Sequence, residues 1–554
     1  MTLRAGSRRI RLLGALAAVG VAMMIVRAGW LGTVDSGWLS AVAAGQQEQT
    51  VISPGQRGAI VDRNGYELAF DRLSDTVVAT PYLITNAQQA AMQLAPLLKL
   101  PESAILAKLI VSGGYSVVAQ GLNQSVGNAV RNLGISGISV QDSFARDLPN
   151  NNLAAQVLGL VGDSGGVSGL ERQYNSALTG TPGVVIENQD PQGQALSTVK
   201  NTPAKPGEMV QLTLDADIQS NLESILAATQ AQFKAKSVSG VVMQPQTGAI
   251  LGMATSPGYN PNDRTQFDPA TARLRTVTDQ FEPGSIFKIV AMAGAIQEGL
   301  VTPTTRIVVP GVLPLYDIKL HDAESHGTKV WSVSEILERS SNIGTVKVAE
   351  RVGYPALASW ISKFGFGRPT GIDYPGESSG YFPQYLGAGW SGVSIGNVPI
   401  GQGVSATQLQ IARAYSVIAN RGRLVTPHLV AKVGGKPVAY PAGPRVISAT
   451  TAQELDGMLR KVVSAQGTGD AANVKGYSVA GKTGTAQVVG SDGKYSNSLY
   501  VSSFAGYVPA NRPRLVIVVT VDEPGVGTYG GTVAAPAFSQ IASMALIRLG
   551  IPPG

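Results

Sequence analysis

Ser285 and Lys288 stand three residues apart in Phe281-Glu-Pro-Gly-Ser-Ile-Phe-Lys-Ile-Val290. A hydroxyl with an amine at that spacing has the make-up of an activated nucleophile, because serine alone is too weak an acid to attack a carbonyl at neutral pH. On a helix, a residue three positions on lies one turn away on the same face, within reach of the hydroxyl proton. The Pro283-Gly284 pair marks a helix start, and Ile286, Phe287, Ile289, Val290, Met292 and Ile296 supply a buried apolar run that Gly299 ends. Ser285 is therefore expected at the start of that helix. The lysine can accept a proton only when neutral, so its pKa must fall from about 10.4 toward neutrality, which burial and a second nearby cation can bring about. Lys288 is thus expected in a closed cleft. The same spacing in Ser197-Thr-Val-Lys200 has no helical pattern behind it. Pro191, Gly193, Pro203, Pro206 and Gly207 surround it, which predicts a linker or hinge without chemistry.

Two further segments carry matching chemistry. Ser340-Ser-Asn342 is expected at the end of the helical run Val333–Arg339, and Lys482-Thr-Gly-Thr485 in a strand over Tyr477–Val488. Singly, each has an ordinary structural reading: a cap at a helix terminus, or a strand with a glycine bulge. Together and in this order, they form the signature of active-site serine acyltransferases that recognise penicillin. From about Arg57 to the C-terminus the chain resembles a class B penicillin-binding protein, the monofunctional peptidoglycan transpeptidase. Arg57-Gly-Ala-Ile-Val-Asp-Arg-Asn-Gly65, Gly169-Leu-Glu171, Leu212-Thr-Leu-Asp215, Gly376-Glu377, Gly401-Gln-Gly403 and Ala480-Gly-Lys-Thr-Gly-Thr-Ala486 are its landmarks. Phe504-Ala-Gly-Tyr-Val-Pro509, Tyr529-Gly-Gly531 and Ala535-Pro536 resemble the septal, or division, branch.

The resemblance implies a substrate stem peptide ending in D-Ala-D-Ala, an acyl-enzyme on Ser285, and β-lactams as covalent inhibitors. It implies that Lys288 takes the serine proton, that Ser340 relays one to the departing D-Ala, and that Asn342 holds Lys288 and the peptide. Lys482 is expected as a fixed positive charge for the terminal carboxylate, with the Thr483 and Thr485 hydroxyls sharing that task. Gly484 is expected to let an extended peptide approach and add to the strand edge. The backbone N–H groups of Ser285 and Thr485 are the expected oxyanion hole. Serine β-lactamases use similar parts, but the nearest deacylating candidate, Glu377, fits the transpeptidases' own Gly-Glu element, and Tyr381 stands where a β-lactamase places an asparagine. A neighbouring stem peptide's amine is therefore the expected acceptor. No cofactor or metal is implied. The expected partners are a polytopic glycan polymerase of the shape, elongation, division and sporulation class, other divisome membrane proteins, and the membrane. An elongation-type sister enzyme, a β-lactam sensor and a non-catalytic scaffold are the competing readings.

The elements that must position these groups span 554 residues, enough for several domains. The boundaries read as a cytoplasmic tail over 1–11, a transmembrane anchor over 12–34, a pedestal of the dimerisation type over 35–207, and a transpeptidase domain over 208–554. Leu12–Val26 carries no charge but would span only about 22 Å as a helix, so the anchor must extend through Trp30, Leu31 and Val34, with Arg27 reaching toward headgroups or a partner helix. Arg4, Arg8, Arg9 and Arg11 precede it, and no Lys or Arg follows from Ala28 to Gln56, so the bulk of the chain is expected outside the cytoplasm. Ala41-Val-Ala43 lies too far past the apolar core, with Asp35 between, to be the expected signal cleavage site. Zero cysteines agrees with an extracytoplasmic fold free of disulfides. The formal charge of +7 raises nucleic acid as a partner. With only 14% charged residues and no dense basic cluster interleaved with aromatics, attraction to anionic membrane or wall polymers is the simpler reading. His321, His326 and His428 lack metal-ligand spacing. Strands at both ends of the last domain with helices between predict an α/β (α+β) sandwich: an antiparallel central sheet flanked by helices and built from distant segments, with an elongated pedestal and a single transmembrane helix.

Overall fold

The structure, a computed structural model, describes residues 3–34, 37–38, 48–162, 164–189, 195–263, 265, 267–316, 318–490 and 493–553. Ala41-Val-Ala43, and Pro191 and Gly193 of the expected hinge, lie outside the described residues. The chain divides into two compact units. The larger comprises Arg57–Arg72, Arg146–Thr179 and Glu208–Gly554, and the smaller Met1–Gln56, Leu73–Ala145 and Gly180–Gly207.

The larger unit is organised around strands β1 (Ser237–Met243), β2 (Ile250–Ser256), β3 (Ala480–Val489), β4 (Tyr495–Val508) and β5 (Leu515–Asp522). They pair antiparallel in the order β2-β1-β5-β4-β3. Its helices include α1 (Ala216–Phe233), α2 (Lys288–Gln297), α3 (Val333–Glu338), α4 (Asn342–Val352), α5 (Gln408–Ala419) and α6 (Ala535–Arg548). Every residue of β1 and β2 is buried, since helices cover both faces of the sheet, so these strands read as apolar runs rather than alternating ones. Alternation survives in which layer each side chain joins. Val238, Val242, Ile517 and Val519 pack with Leu222, Leu226 and Phe538 of α1 and α6. Val241, Met243, Val516 and Val518 face the other layer, with Ile289, Val290 and Tyr415 of α2 and α5.

The two sheet edges are treated differently. On β2, the Gln219 side chain accepts from Met253 N at 2.8 Å and donates to Met253 O at 2.9 Å, while Gln156 Oε1 accepts from Thr255 N at 2.9 Å. Side-chain amides therefore occupy backbone groups that would template another strand. At the opposite edge, β3 pairs only with β4 among the described strands.

In the smaller unit, helices Ala87–Leu98, Glu102–Leu109 and Gln124–Asn132 gather Leu94, Ile105 and Val130 around Val77 and Ala79. Asn86 caps the first of them by accepting from Gln89 N at 3.0 Å. Ser197 and Lys200 fall in the strand Ala195–Thr202, which pairs antiparallel with Gly183–Gln189, so the linker expectation is corrected there. There Ser197 Oγ accepts from Asn188 Nδ2 of the paired strand at 3.3 Å.

The transmembrane part of the expected fold also needs correction. One helix, Leu3–Thr33, holds a stretch, Ile10–Thr33, long and apolar enough to cross a membrane by length and composition. A signal sequence near an N-terminus satisfies the same criterion, because hydrophobic length governs insertion and not retention. The fold is therefore a mixed α/β domain with a second, smaller unit, without a defined transmembrane helix as one of its parts.

Candidate active site

Ser285 sits in a 3₁₀ turn, Gly284–Phe287, that runs directly into α2. It is half-buried while Gly284, Ile286 and Phe287 are buried. The turn is held from behind: Gly284 N donates to Gly401 O at 3.0 Å, and Tyr415 Oη donates to Ile286 O at 3.0 Å. A Cβ at position 401 would lie 2.2 Å from Gly284 O, so only glycine permits this approach.

Lys288 is fully buried, and its Nζ lies 2.5 Å from Ser340 O, 2.8 Å from Asn342 Oδ1 and 3.3 Å from Ser340 Oγ. A neutral amine has two N–H donors and one lone pair. Of these three partners only Ser340 Oγ carries a proton of its own, which makes it the proton-exchange partner. Burial pushes the Lys288 pKa down to about 7, against an upward pull from Asp322. The amine makes no hydrogen bond to Ser285 Oγ in this substrate-free geometry, and such contacts tighten when substrate binds.

Ser340 directly follows the helical run, as expected, and links α3 to Ser341, the N-cap of α4. Its φ of +58° is in the left-handed region, a conformation that costs a non-glycine residue about 1–3 kcal/mol. What holds it there was not legible in the sequence. Asp322 Oδ2 accepts from Ser341 Oγ at 2.6 Å, Asp322 Oδ1 accepts from Ile343 N at 2.9 Å, and His326 Nε2 lies 2.9 Å from Oδ2. Asn342 Nδ2 donates to His321 O at 3.1 Å. The polar loop of His321 and His326 is thus the clamp on the Ser340–Asn342 turn. No spacing rule links Asp322 to a turn eighteen or more residues on.

Asp322→Ala removes the acceptor of a hydroxyl and of a buried N–H, a loss of about 1–3 kcal/mol. Acylation by penicillin is expected to slow by about tenfold or more. Because the carboxylate favours the ammonium form of Lys288, its removal also moves the midpoint of the acylation pH profile toward acid. A profile that stays in place, measured by adduct formation against pH, refutes this electrostatic role.

Lys482 lies on β3, fully buried, with Nζ 3.2 Å from both Thr483 O and Thr483 Oγ1. Burial and then the charge of Lys288 push its pKa well down. Burial beside Lys288 disfavours the charged form of Lys482, so a charge there is favoured by an accompanying anion, as the expected carboxylate would be. Thr483 Oγ1 is 2.8 Å from Thr468 Oγ1, and Thr485 Oγ1 accepts from Gly530 N at 3.1 Å. A Cβ at position 484 would meet Ser503 Oγ at 2.4 Å, Pro283 O at 3.0 Å and Ile286 Cγ2 at 3.1 Å. Gly484 thus leaves room for the nucleophile turn beside β3. The carboxylate of Glu377 is spent on its own loop: Oε1 accepts from Thr370 N at 2.7 Å and Oε2 from Gly371 N at 3.0 Å. Among the described residues, no group of three or more His, Asp or Glu is placed to hold a metal.

The geometry therefore gathers Ser285, Lys288, Ser340, Asn342 and Lys482 from three separate parts of the chain. Residues 238–543 match the penicillin-binding protein transpeptidase domain, and residues 52–212 match the penicillin-binding protein dimerisation domain. The chain belongs to the penicillin-binding protein transpeptidase family. Penicillin-binding protein PbpB of Mycolicibacterium smegmatis is 34% identical over 566 residues, covering 93% of this chain and 86% of the relative. Peptidoglycan D,D-transpeptidase FtsI of Escherichia coli K12 is 31% identical over 559 residues, covering 99% and 93%. Among solved structures, penicillin-binding protein 3 of Mycobacterium tuberculosis in complex with aztreonam superposes with a TM-score of 0.72 at 32% identity, covering 91% of this transpeptidase and 98% of that chain.

Proposed function

We propose that this protein is a peptidoglycan D,D-transpeptidase that crosslinks stem peptides through an acyl-enzyme on Ser285. The observation that carries the proposal is a fully buried Lys288 with a pKa near 7, one turn from a half-exposed serine and bonded to the Ser340–Asn342 turn. Lys288 takes the hydroxyl proton as Ser285 attacks the penultimate D-Ala carbonyl. The N–H groups of Ser285 and Thr485 stabilise the oxyanion. Ser340 passes the proton to the departing D-Ala, whose carboxylate brings Lys482 its charge, with Thr483 and Thr485 alongside. The acyl-enzyme then waits for an amine of a neighbouring stem peptide. β-Lactams acylate the same serine, in keeping with aztreonam and ampicillin complexes of the mycobacterial relative. The catalytic domain acts outside the cytoplasm, over 208–554, with the pedestal over 35–207.

The division role rests on the resemblance of Phe504–Pro509, Tyr529–Gly531 and Ala535-Pro536 to the septal branch, and it implies a polytopic glycan polymerase as partner. Depletion is expected to give filaments. Rounded or widened cells would assign the elongation role instead. For the chemistry, intact-mass labelling with a penicillin is expected to give a stable adduct on the native chain and on the decoy Ser197→Ala, and none on Ser285→Ala. An adduct retained by Ser285→Ala would refute the assignment, and rapid loss of the native adduct would indicate a β-lactamase.

A further inference from the structure

A basic side chain is tolerated in a protein interior when an anion lies beside it or when it gives up its proton. Among the described residues five basic side chains are buried: Arg57, Lys288, Arg413, Lys482 and His428. Arg57, like the partly buried Arg146, is paired with Glu171. Burial pushes the two lysines and His428 toward their neutral forms. Arg413 does neither. Burial and then the charge of Arg368 push its pKa down to about 10, against the pull of Glu377, so it stays protonated at neutral pH. Its Nε donates to Val425 O at 2.9 Å, while Nη1 is buried and has no partner among the described residues. The oxygens of Glu377 are engaged elsewhere, Oε1 by Thr370 N and Oγ1 and Oε2 by Gly371 N. A guanidinium kept charged in the interior with donors to spare calls for an anion that the chain does not supply.

The surroundings select the ligand. Gln410, one turn before Arg413 on the same face of α5, donates through Nε2 to Arg368 O at 2.9 Å, which lays the loop 364–371 along the helix. Gly365 brings that loop over the guanidinium: its φ is +93°, and a Cβ there would lie 2.9 Å from Arg413 Nη1. Arg368 is exposed, so its side chain borders the place from the solvent side. Arg413, Arg368 and Glu377 together carry one net positive charge, which one monovalent anion balances. The close fit of the loop on Nη1 leaves room for a small ion only. We infer that Arg413 and Arg368 hold one small monovalent anion of the halide type between α5 and the loop 364–371. The same helix holds the nucleophile turn through Tyr415, so the ion stiffens the support of Ser285, but the inference stands independently of the transpeptidase reading.

Urea unfolding of the full chain in potassium chloride and in potassium gluconate at equal ionic strength tests the site, since screening is the same in both and gluconate is too large to enter. The unfolding constant of the native protein is expected to be about tenfold lower in chloride, as for an ion present at about ten times its Kd. Arg413→Gln should abolish the difference between the salts, whatever its own stability. Arg368→Gln, on the exposed loop, should reduce it to below about threefold, and it decides the matter if Arg413→Gln does not fold. Crystals of the full chain soaked in bromide should show an anomalous peak in contact with the Arg413 guanidinium. Equal unfolding in the two salts overturns the inference, and a bromide peak beside it then marks an adventitious ion only. A salt difference that both variants keep places the ion elsewhere and overturns it too. So does a crystal structure in which Glu377 has turned to pair with Arg413.

Discussion

Replacing Lys288 by methionine is expected to slow acylation of Ser285 by penicillin by about 10²–10⁴-fold at pH 7.5, the usual loss when a general base is removed. Methionine keeps much of the buried volume while removing the proton acceptor and the N–H donors to Ser340 O and Asn342 Oδ1. The sign of the pH dependence follows from the same amine. Its active form is neutral, and burial has brought its pKa down to about 7. Acylation by the native protein should therefore be nearly flat above that point. Below it the rate should fall about tenfold per pH unit. Stopped-flow or mass-resolved adduct formation from pH 5 to 9 reads both. A Lys288→Met variant within about tenfold of the native rate, or a native rate that rises toward acid, removes lysine from the mechanism.

The second large effect concerns stability. Glu171 is nearly inaccessible and joins two arginines, with Oε2 2.6 Å from Arg57 Nε and Oε1 2.7 Å from Arg146 Nε. Asp71 completes the cluster, 3.3 Å from Arg146 Nη1 and accepting from Arg57 N at 2.7 Å. Glu171→Ala removes the carboxylate paired with Arg57 Nε and one of the two paired with Arg146, in a dry site, a change expected to cost about 3–5 kcal/mol. Urea unfolding of the larger unit should show a correspondingly lower midpoint. A loss under about 1 kcal/mol means that water enters and solvates the arginines. Removing the charges together should hurt less than removing the glutamate alone, because a buried pair is dear to break and cheap to replace.

Much of this was legible in the chain. The Pro283–Ser285 start, the Lys288 spacing and the long apolar run located the nucleophile helix, since helical periodicity is local and needs no partner. Strands at both ends of the last domain, with helices between, were legible for the same reason, as apolar runs bounded by turn residues. Arg57 and Glu171 were visible only as landmarks, 114 residues apart. The surroundings of Gly484 and Lys482 were not legible, because they come from Pro283, Ile286 and Lys288, which no pattern on β3 encodes.

What the chain determined by itself was its inventory: a serine and a lysine one turn apart, an amide on a helix start, a lysine on an edge strand, and the apolar periodicities that make those elements form. Tertiary packing alone decided the protonation of that inventory. Whether an amine is a base or a fixed cation depends on the water it has lost and the charges within a few ångströms, and those neighbours come from remote parts of the chain. Asp322 at the Ser340–Asn342 turn and Lys288 beside Lys482 exist only once the polymer is folded, because desolvation and Coulomb energy depend on distance in space and not on separation along the sequence.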